Sequence, residues 1–279
     1  MKKFWLHLLY NPLSLLGTTI VIVLLLTGIF APYLAPYDPT DIAPVERLHP
    51  PDRTHILGTD ELGRDVFSRI IIGSRISLEI GIGIVFLSAF IGTIIGLVSG
   101  YFGGLVDHVL MRVTDIFISL PSLILAIAMT AALGPSLPNA VLAMVIVWWP
   151  IYARLIRGEV LVIKGRDYVK AMKVMGANPL RIMIFHVLPN AMDSVIVRVS
   201  IDFGNAVMFC AALSFIGLGA QPPTPEWGAM VTSGRDYLRD AWWLVTFSGL
   251  AIFITVMGFN LLGDGIRDFL DPRIKGKHA

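Results

Sequence analysis

Six predominantly apolar stretches divide the chain: Leu13 to Phe30, Ile76 to Tyr101, Ile116 to Leu133, Ala140 to Tyr152, Ser194 to Leu218 and Ala241 to Leu262. A helix needs about 20 such residues to cross a bilayer core. Backbone groups inside lipid must bond within their own segment, which favours helices there. The pattern therefore predicts an all-α membrane protein with six transmembrane helices. The polar intervals set its orientation, because short loops rich in Lys and Arg stay in the cytoplasm.

Met1 to Pro12 carries Lys2 and Lys3 and is expected inside. A cleavable leader is the rival reading of this end, although no Ala-x-Ala-like site follows. Between Pro32 and Pro51 the prolines 32, 36, 39, 44, 50 and 51 stand among Asp38, Asp41 and Glu46. That interval is too rich in proline for a helix and acid-leaning, so it is expected extended, exposed and external. After Asp65, the residues Val66, Phe67, Ile70 and Ile71 recur at helical spacing opposite Arg64, Ser68 and Arg69. This predicts a separate helix, lying in the membrane interface or on the protein surface. Tyr101 to Asp115, with Arg112, reads as a short inner turn, and Gly134-Pro135 with Pro138 as an outer one. Pro121 can kink the third span, and Trp148, Trp149 and Tyr152 suit an interfacial anchor at the end of the fourth. From Ala220 to Asp240, Glu226, Asp236 and Asp240 outnumber Arg235 and Arg239, which places that interval outside. Arg267, Arg273, Lys275 and Lys277 place the tail inside, so both termini are expected in the cytoplasm. The chain then divides into 1–34 with the first helix, 35–75 as a periplasmic loop with its interfacial helix, and 76–279 as the remaining five helices.

The most basic interval is Arg154 to Pro189, where Arg154, Arg157, Lys164, Arg166, Lys170, Lys173 and Arg181 face only Glu159 and Asp167. It must be what the membrane part shows to a cytoplasmic partner. Asp167 can cap a helix through Tyr168 to Met175, with Gly176 as its stop. Asn178-Pro179 opens a second short helix, and Leu188-Pro189 marks the next boundary.

Composition narrows the class. With 279 residues, 55% hydrophobic and 15% charged, and a mean hydropathy of +0.74, the chain departs far from a soluble domain, and binding to nucleic acid is disfavoured. Cys210 is the single cysteine, so no intrachain disulfide or CxxC pair is possible. No phosphate-cradling GxxxxGK[ST] loop, no HExxH and no nucleophile elbow occurs, which leaves an enzyme reading nothing to rest on and implies that any ATP is hydrolysed by another polypeptide. His49 and His55 lie near prolines in the outer loop and read as incidental rather than as metal ligands. Ser88, Gly92, Gly96 and Gly100 fall on one helix face and predict a close helix seam, internal or between subunits. Arg198 and Asp202 lie four apart inside the fifth span, with Asn205 nearby; a local ion pair and a contact with the cargo route are both open readings for charges there. Asp264 and Asp268 read as ties at the inner end of the last helix.

Lys170-Ala171-Met172, then Gly176, then Leu188-Pro189, has the spacing of the cytoplasmic loop of ABC importer permeases, commonly Glu-Ala-Ala followed by Gly and a later Leu-Pro. Ala171, Gly176, Leu188 and Pro189 are kept, while Lys170 stands at the Glu position and Met172 at the second Ala. Three further stretches resemble the same subfamily: LGTDELGRDVFSR from Leu57, LSFIGLGAQPPTPEWG from Leu213 and FNLLGDGIRDFLDP from Phe259. Over nearly its whole length the chain resembles one of the two inner-membrane permeases of the dipeptide, oligopeptide and nickel importers. The resemblance implies the type I importer permease fold. It also implies a second, homologous permease, two cytoplasmic ABC ATPases carrying ATP and Mg, and a periplasmic or lipid-anchored solute-binding protein. On that reading Asp167, Lys170, Ala171, Gly176, Ala177 and Arg181 couple to the ATPase, Asp202 and Asn205 are candidates for the route, and peptides are the first choice of cargo. Nickel or a metal chelate, or an oligosaccharide, is the alternative cargo, and an ion-driven secondary transporter the alternative class.

Overall fold

The computed structural model describes residues 11–270. Lys2 and Lys3, and the tail charges Arg273, Lys275 and Lys277, lie outside the described residues. Helix α1 (Pro12–Ile29) begins at Asn11, whose side chain accepts the Leu13 amide, with proline in the first turn where its missing N–H costs little. A single turn, α2 (Ala31–Leu34), leads into the outer loop. Helix α3 (Val66–Phe102) is one unbroken element of 37 residues. At 1.5 Å per residue it is about 55 Å long, well beyond a hydrocarbon core of about 30 Å. The interfacial helix and the second span, expected as separate elements, are therefore one. No Pro interrupts 66–102, and Asp65 starts it by accepting from the Ser68 amide and hydroxyl, both at 2.7 Å.

The inner turn expected at Tyr101 to Asp115 is instead helix α4 (Gly104–Ile118), followed by α5 (Ser122–Leu133). The two meet at 89°. Pro121 explains the break, since it cannot donate to the helix and its ring disfavours helical geometry at Leu120. Helix α6 (Leu137–Lys164) runs twelve residues past Tyr152, where the fourth span was expected to end. Helices α7 (Asp167–Val174) and α8 (Pro179–Ile182) form the hairpin, and α9 (Leu188–Phe215) follows through a π-turn at Met183–Val187. The short α10 (Trp227–Gly234) precedes α11 (Trp243–Leu270). Among the described residues five helical segments are long and apolar enough to span a membrane, and the bent α4–α5 pair makes up to six. Among the described residues there is no strand.

The arrangement follows from where side chains are small. The expected glycine stripe is an internal seam: a Cβ on Gly92 would meet that of Tyr152 at 2.5 Å, and one on Gly100 would meet that of Val160 at 2.9 Å. Helices α3 and α6 thus pack almost backbone to backbone, with α9 against both. Helix α11 packs on α9 and on α1, where Gly17 lies against Leu261 and Gly258 against Ile20. That antiparallel register puts residues 12 and 270 on one side of the molecule. Gly28, near the other end of α1, packs beside Leu78 and Arg75 in the first half of α3. The two ends of the described chain therefore share the side of the α7–α8 hairpin.

On the opposite side the outer loop is exposed in part, but it is not simply extended. His55 is buried, correcting its reading as an incidental residue in a solvated segment. Its Nδ1 lies 2.9 Å from Asp65 Oδ1 and its Nε2 2.9 Å from Glu46 Oε2. Trp243 at the head of α11 donates to the Thr59 carbonyl and Trp227 to that of Ile70, both at 3.1 Å. Trp243 thereby fastens the loop to α11 and His55 fastens it to the start of α3, while Trp227 ties α10 to α3.

Candidate coupling site

The hairpin is built on the end of α6. Lys164 donates to the carbonyls of Gly100 and Tyr101, placing a cation at the C-terminal end of α3 where unpaired carbonyls and the helix dipole favour it. Arg166, not Asp167, is the residue that caps α7, and no side chain closes that end. Asp167 is the first helical residue and is fully exposed, pairing with Lys170 at 3.2 Å. It acts on the dipole from the first turn rather than on an amide.

The other end closes as the sequence predicts. Gly176 has φ +77°, the Gly176 amide donates to the Lys173 carbonyl and the Ala177 amide to that of Met172, both at 3.0 Å. This is the Schellman arrangement, in which a left-handed residue turns the chain back over the last helical turn. Asn178 then starts α8 by accepting the Leu180 amide at 2.9 Å, with Pro179 in the first turn. Pro189 lacks the N–H that would continue the ladder into α9. The preceding turn widens to a π-turn, closed by the Leu188 amide on the Met183 carbonyl.

One face of the hairpin belongs to the core. Val169, Ile182, Met183 and Val187 are buried in the same apolar cluster as Tyr152, Ile156 and Val160, and Met172 and Ala177 pack against it. Lys173 lies over the Tyr101 ring, 4.9 Å from its centroid. Burial and the neighbouring Lys164 hold its ammonium below the usual lysine range. The opposite face is bare: Val174 is 88% and Met175 76% exposed, with Leu180 and Tyr168 open beside them. An apolar knob thus projects from a base continuous with the membrane helices.

Three basic residues that the sequence assigns to the loop lie on α6. Arg157 forms a two-pronged pair with Asp107 of α4, Nε to Oδ1 and Nη2 to Oδ2 both at 2.6 Å, and Arg154 pairs with Asp115. Glu159 accepts from Ser194 of α9 at 2.6 Å. These partners stand 35 to 50 residues apart in sequence, so no local spacing announces them. They tie α6 to α4 and α9 just above the hairpin.

The route candidates fall elsewhere. Arg198 Nε donates to Asp202 Oδ2 at 2.7 Å, and Asp202 is buried. Asn205 is half-buried. Neither Asp202 nor Asn205 lines the large groove between α3 and α9. That groove, about 540 Å³, is walled by Ile82, Phe86, Phe90, Val195, Val199 and Phe203 among others. The sequence signals nothing of the groove, because its walls read as ordinary lipid-facing residues.

Residues 92–276 match the family described as the binding-protein-dependent transport system inner membrane component, a region holding the hairpin and every helix after α3. The chain belongs to this family of permeases. Residues 1–51 match the N-terminal transmembrane domain of oligopeptide transport permease C. A probable D,D-dipeptide transport system permease protein of Escherichia coli K12 is 48% identical over 96% of this chain and 90% of its own. The dipeptide transport system permease protein of the same strain is 47% identical over 99% and 94%, and the di/tripeptide permease of Pseudomonas aeruginosa 44% identical over 99% and 93%. The permease accordingly has the type I importer fold and is a multi-pass inner-membrane subunit of an ABC importer. Its hairpin is the segment in which the family's loop spacing, the Schellman turn and the exposed apolar knob coincide.

Proposed function

We propose that this permease passes short peptides from an external solute-binding protein to the cytoplasm, moved by ATP that is hydrolysed on separate ATPase subunits. The observation that carries the coupling role is the two-faced α7: Val169 locked into the core of the spans, Val174 and Met175 offered to a partner. A knob of this kind, seated in a groove of an ATPase, transmits the groove's displacement as a rigid body, because packed interiors shift between discrete arrangements rather than deform. Asp167, Lys170 and Arg181 supply its polar rim, and Gly176 with Ala177 its turn. The basic side then faces the cytoplasm with both chain ends, and the loop fastened around His55 faces the binding protein. A homologous permease completes the pathway. ATP supplies the bias between inward-open and outward-open forms by binding one arrangement of the ATPases better than the other.

Peptide cargo is supported by the names of the relatives, which are dipeptide and di/tripeptide permeases over nearly the full chain. The test is uptake of a labelled dipeptide into proteoliposomes holding both permeases, the ATPases and the binding protein. Uptake is expected only with ATP inside the compartment that holds the ATPases. Accumulation driven by a proton or sodium gradient without ATP would assign the chain to secondary transport instead.

A further inference from the structure

At the outer end of the molecule Asp60, Glu61, Arg64 and Arg69 form a closed ionic cluster. Arg64 Nε donates to Asp60 Oδ2 at 2.7 Å and its Nη2 to Glu61 Oε1 at 3.1 Å, while Arg69 Nε lies 3.5 Å from Asp60 Oδ2. Two polar atoms beside it are buried without a partner: Glu61 Oε2, and the Ser248 hydroxyl of α11, a residue with no exposed surface. Both residues line the same small cavity, together with Asp60, Arg69, Ser233 and the apolar Val66, Met230 and Leu244. The cavity leaves about 10 Å³ for the centre of a water-sized sphere. A buried water needs about that much by this measure, together with two to four polar partners.

We propose that this cavity is a binding site for one water molecule, which joins the outer loop to α10 and α11. The chemistry selects a neutral guest. Two carboxylates and two guanidinium groups cancel, so a cation would leave a net buried charge, which is costly. The guest must also donate to Glu61 Oε2, since a carboxylate only accepts. Water does this with one proton and accepts from the Ser248 hydroxyl with a lone pair. Ser233, whose own proton goes to the Ala229 carbonyl at 3.0 Å, receives the second proton. Arg69, a cation, also lines the cavity. Without the guest, one carboxylate oxygen and one hydroxyl would each bear an uncompensated desolvation cost. With it, the loop, α3, α10 and α11 share one hydrogen-bonded node.

The test uses the full permease in its assembled complex. A density map that resolves ordered solvent is expected to show one peak within hydrogen-bond reach of Glu61 Oε2 and Ser248 Oγ, absent in Ser248→Val. Ser248→Ala should lower the Tm by about 2 to 4 °C. Glu61→Gln combined with Ser248→Ala should lower it by less than the sum of the single changes, because either one unseats the same molecule. Strictly additive losses, or no peak, overturn the proposal. Replacing sodium and potassium by choline should leave the Tm unchanged; a drop would mean that a cation occupies the cavity and would equally overturn it.

Discussion

A Cβ placed on Gly96 would fall directly against the carbonyl oxygen of Ala153, so α3 and α6 touch through backbone. In lipid, association of helices rests on such close packing rather than on hydrophobic burial. Gly96→Leu should therefore prevent correct assembly of the spans, read as loss of monodisperse protein after membrane extraction. Gly83, whose added Cβ would meet only Val141 Cγ1 at 3.5 Å, serves as control. Gly83→Ala should behave as the parent does, and equal damage from both changes would deny the seam its importance.

Gly176 differs from the seam glycines in its reason for being glycine. Nothing lies within 4 Å of a Cβ added there, but its φ is +77°. A left-handed conformation costs an ordinary L residue about 1–2 kcal/mol. Gly176→Val should unwind the last turn of α7, cutting ATP-driven uptake roughly tenfold while the ATPase rate and membrane insertion persist. Gly176→Asn, which tolerates the left-handed region, should keep most of the uptake. Wild-type uptake in Gly176→Val would remove the Schellman turn from the coupling role.

The Arg157–Asp107 pair joins α6 to α4 above the hairpin with both guanidinium prongs engaged. Asp107 also accepts from Ser99 of α3 at 2.5 Å. Charge-assisted bonds of this kind are worth about 1.5–3 kcal/mol when half-buried. Asp107→Asn and Arg157→Gln should each destabilise, and the double change should cost little more than either alone. A thermal-unfolding cycle giving additive losses would show that the two groups act separately.

His55 makes the outer loop sensitive to pH. Carboxylates offer only acceptors, so both ring nitrogens donate when Glu46 and Asp65 are ionised. Burial pulls the imidazolium down, but hydrogen bonds to Asp65 and Glu46 and the charges of both outweigh it, and the net direction is up from 6.5. A raised folded value means stabilisation that is full below the unfolded value of about 6.5 and lost as pH rises through the folded value. The Tm difference between the parent and His55→Gln should be largest at pH 5.5 and narrow as the pH rises past 6.5 and through the higher folded value. A difference that grows with pH would reverse the assignment.

Much of this molecule was legible before any folding was considered. Runs of apolar residues near bilayer length announced helices, proline marked the bend at 121, and Gly176 with Asn178-Pro179 announced the hairpin, because these signals act within one or two turns of backbone. The glycine spacing 92, 96, 100 announced a seam, although not its partner. Element ends were less readable. Arg154, Arg157 and Lys164 looked like the end of a span, yet α6 continues through them because Asp115, Asp107 and the carbonyls at the end of α3 satisfy their charge. Likewise α3 runs unbroken from Val66, since nothing in its backbone chemistry interrupts it. The sequence by itself determined that the chain is built of apolar helices, that it bends at Pro121 and that it turns at Gly176, all properties of neighbouring residues, but not that residues 104–118 are helical. Only the tertiary structure decided how Arg157 and Arg154 are paired, that His55 is buried, and that α7 grows from the core, because those depend on atoms brought together from well-separated positions, 9 for His55 and Glu46 and 50 for Arg157 and Asp107.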